Sequence, residues 1–103
     1  MCGLVGIRRF SDAPIDQREL TVMRDHIQHR GPDDAGLYVD DYIGLGHARL
    51  AILDLTARAS QPMTSHSGRF VLAYNGEIYN FKQLRAQLQE RGVAVTSTGD
   101  TEV

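Results

Sequence analysis

The residue with the clearest chemical potential is Cys2, which is the only cysteine and directly follows Met1. A small residue in this position generally allows the initiator methionine to be removed, so Cys2 could carry both a thiol and a free α-amino group. An α-amino group titrates near about pH 7.7–8.0 and can take the proton of a thiol. The position therefore suggests a cysteine nucleophile with its own base. From these residues alone, the alternative is a small buried apolar residue without a chemical role.

Two further positions stand out in the sequence. Arg49 lies in the apolar run at residues 46–53, and a buried guanidinium needs an anion. We expect an internal carboxylate beside it, with the anion of a ligand as the second possibility. Asn75-Gly76 follows the apolar run at residues 70–74, and this pair between two β-runs is typical of a hairpin turn.

Apolar periodicity and turn residues predict the elements that hold these side chains. We expect strands at 3–8, 36–40, 42–53, 70–74, 77–79 and 93–96, and helices at 17–29 and 81–91. Asp16 is expected to cap the first helix, Asn80 with Gln83 to form a capping box, and Gly92 to end the second helix. Residues 54–68 lack periodicity and predict a long loop of the kind that lines a site. The fold class is α/β.

Composition excludes several functions. The chain has 103 residues, enough for one small domain, and a net charge of −2, which gives no field for nucleic acid or an anionic membrane. It shows no signal peptide and no membrane span, so a cytoplasmic protein is expected. His26 and His29 lack further ligands for a metal, and no glycine-rich loop for phosphate is visible.

Four motifs in one order resemble a known family. They are Cys2-Gly3, His29-Arg30-Gly31-Pro32-Asp33, Gly46-His47-Ala48-Arg49-Leu50 and Asn75-Gly76-Glu77-Ile78-Tyr79-Asn80. Together they look like the glutaminase domain of glutamine-dependent asparagine synthetases, a class II (N-terminal-nucleophile) glutamine amidotransferase domain. The run at residues 49–54 is more similar to the asparagine synthetase branch than to the phosphoribosyl or hexosamine branches.

The resemblance implies a role for each matching residue. Cys2 corresponds to the nucleophile that forms a γ-glutamyl thioester, and Asn75 and Gly76 correspond to the oxyanion hole. The remaining matching positions, in substrate binding, are Arg49 for the α-carboxylate, Glu77 and Asp100 for the amino group, and Leu50 and Ile52. Gly99 departs mildly from the family, which often has serine before this aspartate.

The resemblance also implies a larger context. The family folds as a four-layer αββα sandwich, of which residues 1–103 would be the N-terminal part. Because the family's domain is about twice as long, we expect the isolated chain to be marginally stable, to self-associate and to have little activity. Glutamine is the implied substrate, and ATP and Mg²⁺ would belong to a synthetase domain that makes asparagine from aspartate, in a protein that could form a homo-oligomer. The alternatives are the same chemistry feeding a sugar or peptide acceptor, and a non-catalytic remnant.

Overall fold

The computed structural model describes all 103 residues, from Met1 to Val103. Its strands are β1 (Gly3–Arg8), β2 (Asp34–Val39), β3 (Ile43–Arg49), β4 (Met63–Thr64) and β5 (Val71–Leu72), and its α-helices are α1 (Gln17–His26) and α2 (Phe81–Glu90). Short 3₁₀ turns occupy Gln28–Arg30 and Ala57–Ala59. Both sheets are antiparallel, so the prediction of an α/β fold with antiparallel sheets is confirmed.

The larger sheet has the strand order β1-β3-β2, and α1 covers one of its faces. Gly44 of β3 packs against Ile15 and Leu20, and Leu20 of α1 has no exposed surface. Full burial of a leucine side chain stabilises a fold by about 2 kcal/mol. The core therefore lies between α1 and the central strand.

The first helix is capped as expected but ends early. Asp16 accepts a hydrogen bond from the Arg18 N–H at 2.8 Å, whereas the predicted end at residue 29 is wrong. The backbone leaves the α-helical region at Ile27, with φ −102° and ψ 8°, and continues as the 3₁₀ turn. Gly31-Pro32 then stops helical structure altogether.

The bounds of the next two strands also differ from the prediction. β2 begins at Asp34 rather than at residue 36, because the Asp33 N–H already donates to the Arg49 carbonyl at 3.0 Å. β3 ends at Arg49 rather than at residue 53. Beyond that point the Ala51 N–H donates to the Asp33 carboxylate instead of to a neighbouring strand.

The second half of the chain has much less regular structure than predicted. Of the run 70–74 only Val71–Leu72 forms a strand, and the strands expected at 77–79 and 93–96 do not form. The backbone N–H groups there bond to side chains: Ile78 to Asp100, and Thr96 to Glu102. These bonds replace the ladder that a strand would need.

The second helix begins after Asn80 and ends before Gly92. Asn80 occupies the N-cap without a side-chain hydrogen bond, so the predicted capping box is wrong. Gly92 has φ +79°, the left-handed conformation that commonly follows a helix, so the predicted end is confirmed. Neither helix has the length and apolar character needed to cross a bilayer.

Candidate functional site

The strand register places Cys2 and Arg49 side by side. Gly3 of β1 pairs with Ala48 of β3, so the next residues outward, Cys2 and Arg49, lie opposite each other where the ladder ends. Successive residues of a strand point to opposite faces, and Gly44 faces α1. Cys2 and Arg49 therefore project from the face that α1 does not cover.

Hydrogen bonds from two other segments hold Cys2. Its Sγ accepts from the Leu50 N–H at 3.3 Å, and its carbonyl accepts from Arg30 Nε at 3.2 Å. The Asp33 carboxylate accepts from the Ala51 N–H at 2.8 Å and so fixes the segment that follows Leu50. The thiol in turn donates to the Leu50 carbonyl at 3.6 Å, so both backbone groups of Leu50 contact the sulfur. The motif at residues 29–33 thus positions the surroundings of the thiol.

A cavity of about 260 Å³ opens beside Cys2 on this face. All eight residues that the sequence marked for catalysis or substrate binding line it: Cys2, Arg49, Leu50, Ile52, Asn75, Gly76, Glu77 and Asp100. They come from the beginning, the middle and the end of the chain. The structure brings every one of them to the same cavity, while their individual roles stay predictions.

The bonds of Arg49 differ from the first expectation. Its Nη1 donates to the Thr56 carbonyl at 2.9 Å and its Nη2 to the Asp54 carbonyl. No carboxylate lies within ion-pair distance, so the predicted internal carboxylate is wrong. The loop after β3 folds back and presents carbonyl oxygens instead. A guanidinium has five N–H donors, and these two bonds leave the others for a ligand.

Asn75-Gly76 does not form the predicted hairpin. Both residues are exposed at the cavity, and no return strand follows them. The preceding residue, Tyr74, is held through its backbone: its N–H donates to Gln61 Oε1 at 2.5 Å, and its carbonyl lies 3.0 Å from His47 Nε2. Side chains from two other segments therefore set the direction in which the chain enters Asn75.

His47 is fully buried in β3. Burial lowers its pKa, as does the charge of Arg49, and these effects outweigh the hydrogen bond to Tyr74 and the charge of Asp34. The imidazole is therefore neutral at neutral pH. Because a carbonyl only accepts, Nε2 carries the proton that bonds to Tyr74. Nδ1 is buried without a partner.

A buried carboxylate ties two loops together behind the cavity. Asp54 accepts from the Thr56 N–H and hydroxyl at 2.8 and 2.6 Å, and from the Thr98 N–H at 2.7 Å. The Thr56 hydroxyl, followed by the backbone N–H groups, holds the pKa of Asp54 far below its usual range. Asp54 is therefore ionised at neutral pH.

The loop that carries Asp100 is fixed from two directions. Asp100 is buried, and its Oδ2 accepts from the Ile78 N–H at 2.8 Å, which leaves Oδ1 without a hydrogen bond. On the preceding residue, the Gly99 carbonyl accepts from Arg85 of α2 at 2.7 Å. The helix and the loop together hold one carboxylate oxygen free at the cavity.

Sequence reasoning missed several residues that shape the site, among them His47, Asp54, Gln61 and Thr101. His47 gave a usable signal, because an imidazole in an apolar strand needs a partner. Asp54 two residues before Thr56 is a familiar local turn pattern. Gln61 and Thr101 gave no signal, because polar residues in aperiodic segments are ordinarily exposed.

Comparison with known proteins identifies a family. A family model described as a glutamine amidotransferase domain matches residues 1–103. Asparagine synthetase (glutamine-hydrolyzing) 1 of Bacillus subtilis is 39% identical over 108 residues, covering all of this chain and 17% of that protein. Asparagine synthetase B (glutamine-hydrolyzing) of Escherichia coli is 38% identical over 92 residues, covering 88% of this chain and 16% of that protein.

A relative with a different name is equally similar. Amidase chry2 of Gibberella zeae is 40% identical over 81 residues, covering 77% of this chain and 12% of that protein. The chain thus spans less than a fifth of each of these three relatives. Because the family model matches the whole chain, this protein belongs to the glutamine amidotransferase domain family.

Proposed function

We propose that this domain hydrolyses the side-chain amide of glutamine to glutamate and ammonia, with Cys2 as the nucleophile. The observation that carries the proposal is that the only cysteine lines the same cavity as Arg49, Asn75, Gly76 and Asp100. A thiol, an amide donor, a guanidinium and a carboxylate together match the groups of glutamine. The family match supports the same chemistry.

The reaction begins with attack of the Cys2 sulfur on the amide carbon of glutamine. The C–N bond breaks, a proton joins the leaving nitrogen, and ammonia departs from a γ-glutamyl thioester. Water then attacks the thioester, releasing glutamate and restoring the thiol. The Leu50 N–H at 3.3 Å from Sγ helps to hold the sulfur in place for this attack.

The base for these steps is the α-amino group of Cys2, and it becomes available only when Met1 is removed. Met1 is 73% exposed, so nothing in the fold shields it from an aminopeptidase. With the methionine gone, the amine takes the thiol proton and later gives it to the leaving group.

Asn75 and Gly76 are proposed to bind the oxyanion. The Asn75 side-chain amide and the Gly76 N–H are donors that stay exposed at the cavity. Loss of one such donor commonly lowers kcat by roughly 10²–10³-fold. Their place in the lining of the same cavity as Cys2 supports this role.

Recognition of the rest of glutamine is assigned to charged groups. The free N–H donors of Arg49 suit the α-carboxylate, and the unbonded oxygen of Asp100, with Glu77 nearby in the lining, suits the ammonium. Leu50 and Ile52 are proposed to contact the substrate from the loop after β3. Each charge of the amino acid would then meet an opposite charge.

The proposal is tested by glutamine hydrolysis in the protein as the cell makes it. Cys2→Ala is expected to abolish ammonia release from glutamine, while any synthesis that uses added ammonia continues. The matched control is His26→Ala, which alters an exposed residue of α1. Glutamine turnover retained by Cys2→Ala would refute the assignment.

The acceptor of the ammonia is proposed to be aspartate, yielding asparagine, because two of the reported relatives carry the name asparagine synthetase. A second candidate is the same glutaminase feeding another acceptor, since one reported relative, Amidase chry2, does not carry that name. Asparagine formed from aspartate, ATP and glutamine distinguishes the two.

Other features of the proposal follow the family. The two antiparallel sheets would form part of a four-layer αββα sandwich, and ATP with Mg²⁺ would serve a synthetase domain in a longer polypeptide. A cytoplasmic location and a homo-oligomer remain predictions.

A further inference from the structure

The segment that enters Asn75 lies outside any strand ladder. β5 pairs with β4 only at Val71 and Leu72, and no backbone bond to a neighbouring strand follows. An oxyanion hole is effective only when its donors are held in place before the reaction. Something other than sheet structure must therefore fix Tyr74 and the residues after it.

Two buried side chains take the place of that ladder. Gln61 Oε1 accepts from the Tyr74 N–H at 2.5 Å, and His47 Nε2 donates to the Tyr74 carbonyl at 3.0 Å. Gln61 is 7% exposed and His47 is fully buried. Both the backbone N–H and the backbone carbonyl of Tyr74 are thus hydrogen-bonded to buried side chains.

The sheet is shaped to bring these two side chains together. Gly36 of β2 pairs with His47 of β3, so both face the same side of the sheet. A side chain at Gly36 would overlap the backbone of Gln61. The missing side chain lets the loop lie against the sheet beside His47.

Gln61 is also bonded to the loop that carries Asp100. Its Nε2 donates to the Thr101 hydroxyl at 3.2 Å, next to Asp100. One amide therefore links the segment before the oxyanion donors to the loop that carries the ammonium-binding carboxylate. Both linked segments line the cavity.

We propose that Gln61 and His47 are positioning residues that hold the Tyr74 backbone and thereby aim Asn75 and Gly76 at the reacting carbon. The inference rests on the proposed glutaminase function. Gln61 also lines the cavity, whereas His47 does not. The proposal predicts that both side chains act on the reaction through Asn75 rather than by binding glutamine. Their loss should therefore lower kcat more than it changes KM.

The first experiment is a double-mutant cycle on glutamine hydrolysis in the protein as the cell makes it. Gln61→Met keeps the side-chain length and removes both hydrogen bonds, and His47→Leu removes the donor to Tyr74. Each is expected to lower kcat roughly tenfold with KM changed less than about twofold. In an Asn75→Ala background the same changes should cost less than about twofold, since coupled residues are not additive. Gln83→Met, an exposed glutamine on α2, is the control and should change neither constant.

Full additivity of Gln61→Met with Asn75→Ala, or an unchanged kcat in both single variants, would overturn the proposal. A second measurement does not require activity: amide hydrogen exchange of the peptide that contains Tyr74 should accelerate in Gln61→Met but not in Gln83→Met. Unchanged exchange would also overturn it. Absence of glutamine hydrolysis in the unaltered protein, with faster exchange in Gln61→Met, would refute the proposed function. It would not refute the inference that Gln61 holds the Tyr74 backbone.

Discussion

The two halves of the chain position their site residues by different means. In residues 1–49, ladder hydrogen bonds and the packing of α1 fix Cys2 and Arg49 at the end of adjacent strands. In residues 50–103, buried side chains such as Asp54 and Gln61 hold irregular backbone through individual hydrogen bonds. The proposed nucleophile thus stands at the end of paired strands, whereas the proposed oxyanion donors stand on a loop whose geometry depends on single side chains.

The difference predicts that core damage in the first half lowers stability, while loss of a loop bond lowers activity. Leu20→Ala removes a fully buried side chain of α1 and is expected to lower the free energy of unfolding by about 3 kcal/mol. Chemical denaturation measures this, with Val22→Ala as control because Val22 is 55% exposed on the same helix. Activity per folded molecule should be unchanged, and equal losses in the two variants would contradict the burial of Leu20.

Loss of a loop bond is expected to lower activity in addition to stability. Asp54→Asn replaces a carboxylate that accepts three hydrogen bonds from Thr56 and Thr98. A displacement of about 1 Å in a site can cost 10²-fold, so partial loosening should lower kcat/KM by roughly tenfold. The control is Asp12→Asn, an exposed residue in the loop before α1. A variant of Asp54 with normal kcat/KM would mean that the two loops do not need this link.

Gly92→Ala tests a smaller conformational effect in the second half. An added side chain would meet open space, so the cost comes only from the left-handed backbone, with φ +79°. We expect a loss of about 1 kcal/mol in the free energy of unfolding. Lys82→Ala, at an exposed position of α2, is the matched control. If both variants unfold alike, the end of α2 is not fixed by this residue.

The smallest expected effect is a change in how the free energy of unfolding depends on pH. The pKa of Asp54 is lowered by its hydrogen bonds in the folded state, so its contribution is present above the unfolded pKa of about 3.9 and is lost as pH falls through the folded value. The difference in unfolding free energy between wild type and Asp54→Asn should therefore shrink below about pH 4. A difference that stays constant down to acid pH would show that the ionised carboxylate contributes nothing.

The same division explains what the sequence could predict. The bounds of β1 and the Asp16 cap followed from local patterns, because their partners are near in sequence or their apolar alternation is regular. The strand expected at 77–79 failed because the Ile78 N–H bonds to Asp100, 22 residues away, and the one expected at 93–96 failed because the Thr96 N–H bonds to the side chain of Glu102. Local apolar periodicity carries no information about such bonds between backbone and side chains.

The candidate site shows a similar limit. Cys2 and Arg49 drew attention through their own chemistry, whereas Glu77, Ile52 and Asp100 came only from resemblance to the family. The residue pattern predicted a carboxylate partner for Arg49, whereas its guanidinium donates to backbone carbonyls of the loop after β3. Partners supplied by main-chain atoms depend on the path of a loop, which residue types do not specify.

The central claim, that Cys2 is the nucleophile in a cavity that binds glutamine, is tested most directly by covalent labelling. A diazoketone analogue of glutamine carries its reactive carbon where the side-chain amide would lie. That carbon takes the thiol proton, and attack by the Cys2 sulfur then forms a stable thioether and releases dinitrogen. Mass spectrometry of the protein as the cell makes it should reveal one adduct, on an N-terminal peptide that begins with Cys2, and excess glutamine should slow its formation. An adduct elsewhere, no adduct, or labelling that glutamine does not slow would contradict the account.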